Sequence, residues 1–383
     1  MAIETSSVSG QTTLKVAEQK LPPTAIVKFV ISVINKLGSV RRKVTPPPLA
    51  LLDMVGTSIF VSNAIMVAAR LGIADLLQDG PKSSEELAQV VGANPSSLYR
   101  LLRALTNVDV FAQDRDGRFR LTPISKYLQT NTPGSMRSLM IMCSDEWHYQ
   151  SWGNFVTAVK TGKAPSEFLY GMPIFQYFEQ NPEAGKNFNA AMTGFSAQAT
   201  AAVAATYDFS RVTRVVDVGG GLGTMAATLL KKYPRMRATL FDRPHVIAEA
   251  KSFLEAEGVI SRCELVSGDF FEAVPTGADA YILQNIVHDW DDEHAIGILK
   301  SCRRAIPAHG KLLLSEMVIP NDNRTYFGTV FDLEMQIFNS GSRERTEKEF
   351  RTLLAAAGFK LTRVIPTPSF SYVIEAVPVQ ANL

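Results

Sequence analysis

The 383-residue sequence contains little cysteine, little net charge and no long uninterrupted apolar run. Its three cysteines, Cys143, Cys263 and Cys302, are scattered and odd in number. This spacing predicts neither a disulfide framework nor a cysteine metal site, and a reducing cytoplasm is the expected location. The formal net charge of +2 is too small to indicate a nucleic-acid partner.

Neither a secretory signal nor a membrane span is predicted. The first twenty residues are polar and include Glu4, so they contain no apolar signal core. Segment 25–35 is apolar, but it is shorter than the roughly 20 residues of a span, and Lys28 interrupts it. We expect an amphipathic helix there, packed on the body of the protein or on a partner subunit, with membrane-surface contact as the alternative. Segment 55–73 is predicted to be a buried or interface helix.

The length and the 46% hydrophobic content predict two domains with substantial cores, preceded by an extension. The extension covers residues 1–45 and ends at a run of three prolines. Residues 46–205 have a mostly helical pattern, and residues 206–383 alternate strands and helices. This alternation predicts an α/β fold with a doubly wound, mostly parallel sheet.

The last two predicted strands differ from the rest because only a short Pro-Thr-Pro-Ser turn joins them. A parallel pair needs a crossover, so this pair must be antiparallel. The predicted strands are Arg214–Val218, Ala238–Phe241, Cys263–Val266, Ala278–Leu283, Lys311–Val318, Leu361–Ile365 and Ser371–Val377.

Residues 83–122 form a pattern of helix, turn, helix and hairpin, which is typical of a winged helix. One interpretation is DNA binding, with Arg100 and Arg103 near the groove. The alternative is a dimerisation or lid module with the same fold. The near-neutral charge and the large second domain favour the second interpretation, since a fold alone does not establish a function.

The segment from Val215 to Gly223 passes from β-branched residues into glycines and then into a helix-forming stretch. Glycines allow a backbone to approach a ligand closely. Asp242 ends the next strand about twenty residues later, which is the spacing expected of a carboxylate that binds ribose hydroxyls. A nucleoside-bearing cofactor is therefore predicted, but the loop also satisfies a nicotinamide-type pattern and leaves its identity open.

A candidate catalytic base, His288, lies just beyond the fourth predicted strand, where open α/β sheets bind their ligands. Glu316 occupies the same edge of the sheet, and Glu344 precedes a predicted helix. A carboxylate that accepts a hydrogen bond from an imidazole sets its tautomer and raises its basicity. These three residues are the predicted catalytic group.

Taken together, these motifs resemble those of the S-adenosylmethionine-dependent small-molecule O-methyltransferases of the caffeic-acid and acetylserotonin type. The specific elements are Val287–Trp290 and Arg343–Thr346, supported by the glycine loop, segment 241–246 and segment 268–271. The resemblance implies a Rossmann-like class I methyltransferase sheet preceded by a winged-helix domain that dimerises and helps to form the substrate pocket.

The resemblance also implies individual roles, with His288 as the general base and Glu316 and Glu344 beside its ring. Asp242 would bind the ribose hydroxyls and Asp269 the adenine amino group. The full set of implied cofactor contacts is Ser196, Gly219, Gly221, Asp242, Asp269, Phe270 and Gln284. The implied acceptor pocket is Met142, Trp147, Met192, Asp289, Met335 and Asn339, with Trp152, Phe175 and Phe178 as further candidates.

The implied reaction moves a methyl group from S-adenosylmethionine, leaving S-adenosylhomocysteine, to a hydroxyl of a small, apolar or aromatic acceptor. No metal is expected, because a sulfonium methyl is already a strong electrophile. The sequence departs from the plant pattern at Gln284, where a lysine is common, and at Cys143 and Arg243, so the acceptor stays open. Methylation of nitrogen or carbon, non-methylating chemistry, a DNA-binding regulator and a nicotinamide-dependent oxidoreductase remain as alternatives.

Overall fold

The computed structural model describes residues 22–322 and 327–379, apart from the side chains of Asn35, Arg41 and Arg42. Within the predicted extension, residues 1–21 lie outside the described residues. The expectation that no secretory signal is present also falls there.

Helices dominate the N-terminal part. A π-helical turn, Thr57–Val61, makes α2 and α3 one continuous helix. The helices are α1 (Thr24–Val44), α2 (Pro47–Gly56), α3 (Ser62–Arg70), α4 (Ile73–Leu76), α5 (Ser84–Val91), α6 (Pro95–Thr106), α7 (Arg137–Cys143), α8 (Glu146–Gly153), α9 (Phe155–Thr161), α10 (Pro165–Leu169), α11 (Ile174–Gln180) and α12 (Pro182–Thr206).

The winged-helix pattern is confirmed. A capping box between Ser83 and Glu86 starts α5, because each residue satisfies a free backbone N–H of the other. Helix α6 buries Leu98, Leu102 and Leu105 against the core of this domain. The hairpin then follows as the antiparallel strands β1 (Phe111–Gln113) and β2 (Phe119–Leu121).

The continuous helix Pro47–Arg70 contains most of segment 55–73, which was predicted to be a buried or interface helix. It is long and apolar enough to cross a membrane by length and composition, and its most apolar stretch is not buried within the chain. Ile59 and Phe60 are 51% and 71% exposed, whereas Ala68 and Ala69 near its end are buried. The end of the helix is therefore buried, and its first half presents an apolar surface that suits an interface, which was the other predicted environment.

The C-terminal part carries the central sheet. Its strands are β3 (Arg214–Val218), β4 (Arg237–Asp242), β5 (Cys263–Ser267), β6 (Ala280–Gln284), β7 (Lys311–Ile319), β8 (Arg345–Thr346), β9 (Phe359–Pro366) and β10 (Ser371–Pro378). The helices are α13 (Thr224–Lys232), α14 (Pro244–Ala256), α15 (Asp292–Ala305), α16 (Phe327–Phe338) and α17 (Glu347–Ala356), with short 3₁₀ turns at Ile260–Arg262 and Val287–Asp289.

The sheet has the order β5-β4-β3-β6-β7-β10-β9. Strands β3 to β7 pair in parallel, and β10 is antiparallel to both β7 and β9, which confirms the predicted antiparallel end. Strand β8, which pairs with the end of β7, was not predicted because two residues carry no periodic pattern.

Two apolar cores cover the two faces of the sheet. Side chains alternate along each strand, so that Leu240 joins one core and Phe241 joins the other. Helices α12, α13 and α14 pack on the first face, and α15 and α17 pack on the second. This arrangement leaves the carboxyl ends of the parallel strands free to face α7, α11, α12 and α16.

Candidate active site

A cavity of about 1020 Å³ lies between the carboxyl ends of the strands and helices α7, α11, α12 and α16. Residues from both halves of the chain therefore line the same cavity. The sequence-predicted residues that line it are Met142, Met192, Ser196, Gly219, Gly221, Asp242, Asp269, Phe270, Gln284, His288, Asp289 and Met335.

The glycine loop after β3 forms one side of the cavity. Gly219 and Gly221 have φ values of +66° and +60°, a conformation that side chains other than glycine rarely adopt. A Cβ on Gly219 would lie 2.7 Å from the side chain of Ile286, so the loop is tightly packed at this point. A Cβ on Gly221 would meet nothing within 4 Å, so the backbone of Gly221 faces open space in the cavity.

Asp242 holds this loop from the end of β4. One carboxylate oxygen accepts the N–H of Gly221 at 2.8 Å, and the other accepts the N–H of Arg243 at 2.7 Å. Burial raises the pKa of Asp242 despite these two hydrogen bonds. Each carboxylate oxygen retains a further lone pair, so both can still accept hydrogen bonds from a diol.

Asp269 follows the neighbouring strand β5 and precedes Phe270. One of its oxygens accepts the N–H of Phe271 at 2.8 Å, and the other pairs with the Arg243 guanidinium at 2.9 Å. Arg243 also pairs with Glu179 of α11 at 3.0 Å. The arginine that departs from the plant pattern therefore joins the N-terminal helices to a predicted adenine contact.

Gln284 and Ser196 connect the sheet to α12. The side-chain amide of Gln284 donates to the carbonyl of Ser196 at 3.2 Å and accepts from Thr200 at 2.9 Å. The hydroxyl of Ser196 accepts from Asn285 at 3.3 Å. Because both ends of the Gln284 amide already have partners on α12, its first role is to hold this helix against the cofactor side of the sheet.

His288 follows β6 and is 7% exposed, with two carboxylates on the same side of its ring. Its Nδ1 lies 2.9 Å from Glu344 Oε1 and 3.4 Å from Glu316 Oε2. Its Nε2 makes no hydrogen bond within the described part of the chain, and the carboxylate of Asp289 lies 3.6 Å away. Since an ionised carboxylate only accepts, Nδ1 carries the proton in the neutral ring and Nε2 keeps its lone pair.

The charges of this group favour protonation in the ligand-free cavity. Burial by itself lowers the pKa of His288, but the carboxylates of Glu316, Glu344 and Asp289 raise it to about 10. Burial raises the pKa of Glu316 to about 7 and that of Asp289 to about 6. The ligand-free cavity therefore favours the imidazolium form of His288, and the ring can accept a proton only when this pKa is lowered.

The two glutamates lie behind His288 and do not line the cavity themselves. Glu316 Oε1 accepts the N–H groups of Ile286 and Val287 at 3.1 and 2.8 Å, so it also sets the backbone that carries the ring. The sequence analysis missed Arg345, which is fully buried and donates to the carbonyl of Val287 at 2.8 Å. The position of Arg345 directly after Glu344, a predicted member of the catalytic group, was the available signal for its contact with the His288 segment.

Three of the residues predicted for the acceptor side do not line the cavity. Trp147 does not line it, because its ring packs edge-on against Phe178 and Phe338 in the apolar core behind the wall. Asn339 also lies behind the wall, where its amide donates to the carbonyl of Asp289 at 3.2 Å. Phe175 and Phe178 do line the cavity, whereas Trp152 does not. The sequence analysis missed Glu334, the carboxylate among these apolar side chains.

Two protein-family models match this chain. The O-methyltransferase domain matches residues 152–360, and the O-methyltransferase dimerisation domain matches residues 55–131. The chain belongs to the O-methyltransferase family. The enzyme is accordingly S-adenosylmethionine-dependent. Its winged-helix segment lies within the match to the dimerisation domain, which agrees with the interpretation of residues 83–122 as a dimerisation module and not as a DNA-binding one.

Individual relatives agree with the family. The chain is 43% identical over 345 residues to the phenazine O-methyltransferase PhzM of Lysobacter antibioticus, covering 90% of this chain and 99% of the relative. The crystal structure of LaPhzM matches with a TM-score of 0.83 at 43% identity, covering 88% of this chain and all of that one. The methyltransferase NcsB1 from neocarzinostatin biosynthesis, solved with S-adenosylmethionine and 2-hydroxy-5-methyl naphthoic acid, matches at 29% identity with a TM-score of 0.70, covering 84% and 97%.

The cavity of the methyltransferase fits the cationic methyl donor in two respects. The Gly221 backbone is open to the ligand, and Asp217 beneath it has a buried carboxylate oxygen without a hydrogen-bond partner among the described residues. The acids Asp217, Asp242 and Asp269 give this side an excess of acceptors, which suits a sulfonium and a diol.

His288, Glu316 and Glu344 are also arranged as possible metal ligands. One ligand atom from each lies within 4.8 Å of the others, and all three residues are buried. The expectation that the methyltransferase needs no metal therefore stays a prediction.

Proposed function

We propose that this methyltransferase acts on a hydroxyl, most simply a phenolic one, of a flat and largely apolar molecule, with His288 as the general base. The observation that carries the proposal is the hydrogen bond of 2.9 Å from His288 Nδ1 to Glu344. In the neutral ring, this hydrogen bond leaves Nε2 with its lone pair as the basic atom, and His288 lines the cavity.

A base is needed because a phenol has a pKa near ~10 and is a poor nucleophile while it keeps its proton. Removal of that proton within hydrogen-bond reach contributes roughly 10²–10⁴ in rate. When His288 takes the proton, the resulting imidazolium is stabilised by Glu344 at 2.9 Å and by Glu316 at 3.4 Å. The two glutamates therefore position the ring and stabilise its charged form.

S-Adenosylmethionine, when bound, supplies a methyl group on a positively charged sulfur. We assign its binding to the glycine loop with Gly219 and Gly221, to Asp242 and Asp269, and to Ser196. The pKa of His288 is expected to fall when this cation shares the cavity, because like charges disfavour the imidazolium. The base then becomes available only in the loaded enzyme.

The shape of the cavity supports an aromatic acceptor. Methionines and phenylalanines dominate the walls away from the cofactor side, which suits a flat apolar ring. The hydroxynaphthoic acid in the NcsB1 structure belongs to the same chemical class. Alignment of the reacting atoms in such a cavity contributes on the order of 7–11 kcal/mol to lowering the barrier.

The test is a turnover screen with methyl-¹³C S-adenosylmethionine and matched panels of phenols and aromatic amines, with the methylated atom located by NMR. We expect O-methyl products and loss of most turnover in His288→Ala, with cofactor affinity by calorimetry retained. Unchanged turnover in His288→Ala removes this residue from the mechanism, and N-methyl products alone overturn the assignment to a hydroxyl. Turnover that survives EDTA and is not raised by divalent cations supports a metal-independent reaction.

We further propose that the enzyme works as a cytoplasmic homodimer and binds neither nucleic acid nor a membrane. The dimerisation-domain match and the exposed apolar side chains of the helix Pro47–Arg70 support the dimer. The three cysteines are free thiols, in keeping with a reducing compartment. Absence of a DNA mobility shift at low salt and absence of vesicle co-sedimentation are the expected results.

A further inference from the structure

A carboxylate lies among the apolar side chains of the acceptor pocket. Glu334 is on α16, between Phe331 and Phe338, and its side chain is 18% exposed and lines the cavity. Its Oε1 lies 2.6 Å from Nε2 of His148, and its Oε2 accepts the indole N–H of Trp152 at 2.9 Å. A charged group in such a wall needs partners, and α8 provides both.

The contacts of His148 determine how many protons the pair holds. Its Nδ1 lies 3.1 Å from the carbonyl oxygen of Cys143, which can only accept, so Nδ1 carries a hydrogen. The contact with Glu334 then requires a second proton, either on Nε2 or on the carboxyl. In both arrangements the pair of His148 and Glu334 has no net charge, which explains how it tolerates an apolar wall.

Neither oxygen of Glu334 is saturated by these contacts. Each makes one hydrogen bond with α8, whereas the two oxygens together have about four lone-pair positions. Glu334 can therefore accept from a ligand in the cavity without losing His148 or Trp152. A ligand that places only carbon atoms against Glu334 would remove water from the carboxylate without replacing the lost hydrogen bonds.

We infer that Glu334 is a second attachment point for the acceptor and selects aromatic molecules that carry an amino or hydroxyl donor in addition to the hydroxyl that is methylated. This inference rests on the function proposed above and names its substrate class. One donor bonded to Glu334 and one hydroxyl at His288 fix the ring at two points, which determines the hydroxyl that is methylated.

The test measures binding of 1- and 2-naphthol and of their aminonaphthol and dihydroxynaphthalene derivatives to the full-length enzyme saturated with S-adenosylhomocysteine. We expect at least one derivative to bind about 10- to 100-fold more tightly than its parent naphthol. Glu334→Leu should abolish that preference, and Glu334→Gln should keep part of it because its amide oxygen still accepts.

Trp152→Phe is the control for a purely structural role. It removes one hydrogen bond to Glu334 and leaves the carboxylate in place, so it should lower the melting temperature and preserve the preference. Equal affinities for parents and derivatives in the wild type, an unchanged preference in Glu334→Leu, or no binding of any naphthol overturns the inference. Methyl transfer to a parent naphthol without any preference would leave the proposed function standing, whereas no transfer to any phenol would count against both.

Discussion

Glu344→Gln tests the catalytic group directly, because it removes a charge and preserves the shape of the side chain. Glutamine can still accept the Nδ1–H of His288 through its amide oxygen, so the ring keeps its tautomer. The change replaces a charge-assisted hydrogen bond of 2.9 Å, in a fully buried position, by a neutral one. A charged hydrogen bond contributes about 1.5–3 kcal/mol and a neutral one about 0.5–1.5 kcal/mol.

The difference of about 1–2 kcal/mol corresponds to a decrease of about one unit in the pKa of His288, since one unit is worth about 1.4 kcal/mol. The raised pKa of His288, about 10, has these carboxylates as its cause, so loss of one charge must lower it. We expect the acid limb of the pH profile of kcat to move about one unit toward lower pH. We also expect the plateau to fall about tenfold, because the base is weaker.

The assay is the pH dependence of kcat with labelled S-adenosylmethionine, together with ¹⁵N NMR of the histidine ring. Glu347→Gln is the matched control, because it removes an exposed carboxylate that pairs with Arg351 at 2.8 Å, and it should leave the profile unchanged. An acid limb at the same pH in Glu344→Gln and in the wild type would refute the assignment of this glutamate.

Four further outcomes are expected. Asp242→Asn should weaken S-adenosylmethionine binding about 10- to 100-fold in calorimetry, and it should also lower the melting temperature, because the amide NH₂ replaces one of the two oxygens that accept the N–H groups of Gly221 and Arg243. Gly221→Ala should weaken cofactor binding while the fold persists, whereas Gly220→Ala should reduce thermal stability, because its Cβ would lie 2.6 Å from the Asp217 carboxyl carbon. The pKa of Asp217 is raised by burial from 3.8 to about 7, so the wild type loses stability as pH rises from about 4 to 7. Asp217→Asn lacks this contribution, so over that range its free energy of unfolding should gain on that of the wild type by up to about 1.4 kcal/mol per pH unit. Phe60→Asp, at a side chain 71% exposed in the single chain, should shift the protein from dimer to monomer in light scattering.

The sequence was sufficient for the elements that depend on local patterns. The glycine loop, the strand ends and the order of strands and helices follow from periodicity and spacing, and the ends of the seven predicted strands lie within two residues of those observed. His288 and Asp242 could be chosen because each lies at the carboxyl end of a strand, where open α/β sheets bind their ligands, whereas Asp269 was implied by the family resemblance.

Only the tertiary structure decided which side chains face the cavity. Trp147 and Glu334 belong to helices whose neighbours come from distant segments of the chain. Trp147 therefore packs in the apolar core, and Glu334 places a carboxyl group in the apolar wall of the cavity. Phe60 is exposed because the first half of a helix with the composition of a core helix is left uncovered by the described residues. A local pattern specifies the face of an element, but the neighbour of that face depends on contacts between residues far apart in the sequence, and these form only when the chain folds.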